Sequence, residues 1–117
     1  MGKRILVVDD SSIMRKMIKQ TLIGAGHTVI GEANNGDDAI ALYQELSPDI
    51  VTMDITMRGT DGVAAAKAIL SLDIDANIIM LSNLDEDRFG QEAAQIGAKA
   101  YIKKHKTTEI LDLIDRL

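Results

Sequence analysis

Short runs rich in β-branched residues alternate five times with longer segments whose apolar residues recur every three or four positions. The short runs read as strands and the longer segments as helices, and five such units in series build an α/β domain around a mostly parallel sheet. Strands are expected at residues 4–8, 28–32, 50–53, 77–81 and 100–103. The first helix, residues 12–25, carries Ile13, Met14, Met17, Ile18 and Leu22 on one face, with Ser11 as its cap and Gly26 at its stop. Asn35 caps a second helix bearing Ala39, Ile40, Tyr43 and Leu46, which the lone Pro48 closes. Asp61 caps a third, with Val63, Ala66, Ile69 and Leu70 in register. Asp85 is the expected cap of a fourth, residues 86–96, where interior Gly90 costs about 1 kcal/mol relative to alanine. The last helix, residues 108–117, presents Ile110, Leu111, Ile114 and Leu117. A length of 117 residues with 46% apolar composition suits one domain over residues 1–117 that buries its own core.

The runs Ile5 to Val8 and Ile78 to Leu81 are apolar at every position, as strands covered by helices on both faces must be. In such doubly wound sheets, ligands bind beyond the carboxyl ends of the strands where the strand order reverses. Asp9 and Asp10 follow the first strand, Asp54 the third, Ser82 the fourth and Lys104 the fifth, so all five belong to one rim. The methionines, Met53 and Met80 among them, read as core filler.

Three carboxylates at one rim repel each other, and a divalent cation relieves that repulsion. Magnesium suits an oxygen donor set and completes its shell with water and phosphate oxygens; Mn2+ is the natural substitute, and no histidine cluster favours zinc. Solvated loop acids are the rival account of Asp9 with Asp10, and Asp54 and Lys104 at the same rim outweigh it. A carboxylate beside magnesium is also able to attack phosphorus and form an aspartyl phosphate, and Asp54 is the candidate nucleophile. Lys104 would supply an ammonium and Ser82 a hydroxyl to the charge that develops on the phosphoryl oxygens.

The segments Val8-Asp9-Asp10, Met53-Asp54-Ile55-Thr56-Met57, Asp61-Gly62, Leu81-Ser82-Asn83 and Gly97-Ala98-Lys99-Ala100-Tyr101-Ile102-Lys103-Lys104 resemble a response-regulator receiver domain of the CheY-like kind. Each motif is weak alone; five in order, each at its own strand end, are specific. The resemblance implies a flavodoxin-like fold with five parallel strands in the order 2-1-3-4-5. It implies phosphorylation of Asp54 by a histidine kinase, magnesium held directly by Asp10, through water by Asp9, and by Asp54 and the main-chain carbonyl of Thr56. It further implies that Lys104 and Ser82 contact the phosphoryl group. Tyr101 would turn inward as Ser82 moves, altering the face formed by the fourth helix, fifth strand and fifth helix, where a downstream protein would dock. Such a domain is a phosphoacceptor that assists its own phosphorylation and dephosphorylation, and not a turnover enzyme.

The chain departs from that pattern at three places. Arg58 and His105 replace prolines, so the Lys104–His105 bond is expected to be trans with a shifted loop, and Asn83 stands where a small residue is usual. The Asn83 amide either narrows the approach to Asp54 or turns outward, and Arg58 either favours phosphate or reaches solvent. His27 and His105 are expected at the surface. A net charge of −5 argues against direct nucleic-acid binding, and no apolar stretch is long enough to insert in a membrane. The absence of cysteine fits the cytosol. With no segment left for an output domain, the expected output is protein contact, with chemotaxis as the natural pathway and a phosphorelay intermediate or an excised receiver as alternatives. A haloacid-dehalogenase-type phosphohydrolase wants its nucleophile in an Asp-x-Asp arrangement after the first strand, where Asp9 and Asp10 are instead adjacent, and it wants a cap and more chain; a pseudo-receiver acting only as a binding module is the remaining rival.

Overall fold

Five strands, β1 (Arg4–Val8), β2 (Thr28–Ala33), β3 (Ile50–Asp54), β4 (Ile78–Ser82) and β5 (Ala100–Lys103), form one parallel sheet in the order β2-β1-β3-β4-β5. This computed structural model describes residues 2–55, 57, 61–82 and 94–117. The helices are α1 (Ser12–Gly24), α2 (Gly36–Leu46), α3 (Gly62–Leu72), a short described stretch α4 (residues 94–96) and α5 (Thr107–Arg116). The flavodoxin-like order expected from the sequence is the one observed, with the reversal at β1.

Alternation along each strand divides the core into two layers. Leu6, Val8, Val51, Met53, Ile78 and Met80 face α2 and α3, where Ala39, Tyr43, Ala66 and Ile69 close over them. Ile5, Val7, Ile50, Ile79, Leu81 and Ile102 face α1 and α5 and meet Ile18, Leu22, Ile110 and Ile114. Every residue of β3 and β4 is buried; β4 is accordingly apolar up to its last residue, Ser82, while β3 buries Thr52 between Val51 and Met53. At about 1.5–3 kcal/mol for each large side chain removed from water, these two layers are the main source of stability.

The caps fall where the side chains predict them: Ser11 accepts from the Met14 amide, Asn35 from Asp38 and Asp61 from Ala64. The second helix ends at Leu46, with Ser47 in the left-handed region at φ 46°, so the chain has already left the helix before Pro48. Strands β3 and β4 end one residue later than expected, at Asp54 and Ser82, because the backbone ladder does not depend on side-chain polarity. Asp85 and Gly90 lie outside the described residues.

His27 corrects the sequence expectation, since it is buried at 7% exposure. It lies at the foot of the sheet, where its Nδ1 accepts from the Lys3 amide at 3.0 Å and its Nε2 is 3.6 Å from a carboxylate oxygen of Asp115. The imidazole therefore joins the start of β1 to the end of α5. His105 is exposed, as expected.

Candidate functional site

The carboxyl ends of β1 and β3 flank the point where strand order reverses, and the acidic residues stand there. Asp54 is the last residue of β3 and Asp9 follows β1 directly; both are buried, at 4% and 1% exposure, while Asp10 is exposed. One carboxylate oxygen from each of Asp9, Asp10 and Asp54 lies within 4.8 Å of the other two. Three anionic oxygens so close, two of them on buried residues, form a donor set suited to a hard divalent cation.

Lys104 supplies the countercharge inside the protein. Its Nζ is 2.6 Å from Asp9 Oδ2 and 3.1 Å from Asp54 Oδ1, and the whole residue is buried. Asp9 Oδ2 is buried and meets no other donor among the described residues. That oxygen keeps lone-pair density for a cation or for water bound to one. The Lys104–His105 bond is trans, yet the Lys104 amide donates to the Ser82 carbonyl at 2.8 Å, so the β4–β5 ladder carries the lysine to the rim without a proline. Lys103 pairs with Ser82 across the sheet and is only half-buried; strand alternation puts it on the opposite face from Lys104.

Ser82 ends β4 with its side chain buried. Tyr101 is paired with Met80, and thus shares a sheet face with Met80 and Ser82; it is half-buried against the α2 and α3 layer. Five of the seven expected site residues, Asp9, Asp10, Asp54, Ser82 and Lys104, are placed at one rim, with Tyr101 on the strand beside Ser82. Thr56, the seventh, lies outside the described residues, as do Arg58 and Asn83.

Two residues that carry no chemistry in the sequence reading shape the site. Gly62 opens α3 and donates its amide to the Ile55 carbonyl at 2.9 Å, and a Cβ at this position would overlap the main-chain carbonyl of Asp54. The start of α3 can approach the main chain of the phosphoacceptor candidate this closely only because residue 62 has no side chain. Gly62→Ala is expected to lower stability by about 1–3 kcal/mol in denaturant unfolding, as overpacking against fixed backbone does. Arg15, on the first turns of α1, reaches back to the Asp9 carbonyl. Its partner Glu32 sits below the usual carboxylate range, first because Lys19 donates to it and then because Arg15 does.

A family model for the response regulator receiver domain matches residues 5–115. The chain is 48% identical to the chemotaxis protein CheY of Thermotoga maritima over 104 residues, 89% of this chain and 87% of that one. It is 44% identical to the chemotaxis protein CheY of Bacillus subtilis over 117 residues, 99% of this chain and 98% of that one. Among solved structures, a CheX-CheY-BeF3-Mg+2 complex from Borrelia burgdorferi superposes with a TM-score of 0.88 at 32% identity, covering 93% of this chain and 84% of that chain.

Proposed function

The chain belongs to the response regulator receiver domain family, and from that membership we propose that it is a phosphoacceptor switch that receives a phosphoryl group on Asp54 from a histidine kinase. The observation that carries this reading is the convergence of three carboxylates within 4.8 Å beside the Lys104 ammonium. Asp9, Asp10 and Asp54 would hold Mg2+, or Mn2+ in its place, and the bound ion would neutralise the phosphoryl oxygens. An oxygen of Asp54 attacks phosphorus as the P–N bond of the donor's phosphohistidine breaks and the imidazole nitrogen leaves with the electron pair. Lys104 is already within 3.1 Å of that carboxylate and offers its ammonium to the incoming charge. Ser82 supplies a hydroxyl from the neighbouring strand, and Tyr101 on the same sheet face passes its displacement to the surface of β5.

On this reading the protein acts in the cytoplasm as a single receiver, takes part in chemotaxis signalling as its CheY relatives are named for, and does not turn over substrate. Its output is contact with a downstream protein through the α4, β5 and α5 face, with no nucleic acid bound directly. Among the described residues, no helix is long and apolar enough to cross a membrane. The test is direct: purified protein incubated with Mg2+ and a small phosphodonor should gain one phosphoryl group per chain, stable in acid and lost in base. Chelating the metal should stop the reaction. No mass gain, or steady release of phosphate from simple phosphoesters, would overturn the assignment.

A further inference from the structure

We propose that Arg15 is a positioning residue for the metal site, acting through the peptide that joins Asp9 to Asp10. The inference rests on the metal-binding reading above and concerns how the acidic turn is held in shape. Asp9 is restrained at every polar atom: its amide donates to the Ala33 carbonyl at 3.1 Å, its Oδ1 accepts from the Ser11 amide at 2.9 Å, and its Oδ2 faces Lys104. The remaining atom, the main-chain carbonyl, lies past the end of the β1–β2 ladder, which stops at Val8 and Ala33. Arg15 Nη1 donates to it at 2.7 Å.

That bond reaches further than Asp9 itself. A peptide unit is planar, so fixing the Asp9 carbonyl fixes the direction in which the Asp10 Cα leaves it. Asp10 is exposed, so packing does little to hold its carboxylate, and the turn of the main chain decides where it points. The guanidinium can serve as a rigid brace because it is anchored at a second nitrogen. Arg15 Nε donates to Glu32 Oε1 at 3.2 Å, while Lys19 Nζ holds the other oxygen of Glu32 at 2.7 Å. A planar fork spanning two acceptors sets its own orientation, which a lysine ammonium on a flexible stem does not do.

Charge and positioning predict opposite results, which makes the idea testable. Arg15 is a cation close to a cation site, so by Coulomb interaction alone its removal should tighten Mg2+ binding. If it positions the turn, its removal should weaken binding, roughly 10-fold, as loss of a residue that orients metal ligands commonly does. Calorimetric titration of Mg2+ into metal-free wild type, Arg15→Ala and Arg15→Lys separates the two. Weakened binding is expected in both variants, since lysine restores the charge but not the fork. Amide hydrogen exchange in metal-free protein gives a second readout: exchange at Ser11 should quicken in Arg15→Ala while Val7 and Val8 keep their protection. Unchanged or tighter Mg2+ binding in Arg15→Ala, full recovery in Arg15→Lys, or equal acceleration along β1 would each overturn the positioning role. Failure of the wild type to bind Mg2+ would instead remove the metal reading on which the role depends.

Discussion

Asp54→Asn is expected to leave the protein folded and unable to accept a phosphoryl group from a small donor, with uptake slowed by at least about a thousandfold, as loss of a reacting nucleophile does. The reason lies in how the three acids are occupied. Asp9 is the more deeply buried, at 1% exposure, with one oxygen bonded to the Ser11 amide and the other 2.6 Å from Lys104, so both its oxygens are held inside the protein. Asp10 is exposed and is the realistic rival on access alone. Asp54 combines burial at the strand end with the Lys104 ammonium 3.1 Å away, an environment able to stabilise the charge of a phosphoryl group as it arrives. Intact-mass measurement after incubation with donor and Mg2+ decides between them. A mass gain in Asp54→Asn equal to that of the wild type would move the nucleophile to another residue. Asp10→Asn should still become phosphorylated, but only at higher Mg2+ concentration, because it removes a metal ligand and spares the nucleophile.

Most of the rim was legible because it needs only two pieces of local information: where an apolar run stops and which polar residue comes next. Asp9, Asp54 and Ser82 satisfy that description; at β5 the next polar residue is Lys103, and it takes parity along the strand to prefer Lys104. What escaped depends on contacts between distant segments. His27 follows Gly26 in a turn and carries no period, so nothing local shows that Lys3 and Asp115 enclose it. Arg15 lies off the apolar face of α1 and matches no motif, and its role emerges only when β2 brings Glu32 beside it, 17 residues on. Gly62 stands out as half of an Asp-Gly pair, yet its cause is the close approach of the Asp54 carbonyl, which no local pattern reveals. Without a proline after Lys104, the ladder bond from its amide to Ser82 is sufficient to hold the lysine at the site.

Lys104→Met is expected to cost the metal-free protein about 3–5 kcal/mol, the usual penalty for deleting one partner of a buried ion pair. Methionine keeps the length and apolar character of the stem, which lies in a cleft with Met14, Met17, Ile18 and Ile110, so packing is nearly conserved and the charge is what changes. Asp9 and Asp54 are then left buried and negative, with Asp10 adding a third charge within 4.8 Å. For a domain of this size the melting temperature should fall by roughly 10–20 °C in chelator-treated buffer. Mg2+ should reverse much of that fall. With the competing ammonium removed, the carboxylates attract the ion more strongly, and a ligand that binds only the folded state stabilises it in proportion to the logarithm of its concentration over Kd. Melts with and without Mg2+ therefore read the same electrostatics from two directions. Wild-type stability in the metal-free variant would show that Lys104 does not neutralise the acids, whereas an equal loss in both buffers would show that the acids do not hold the ion.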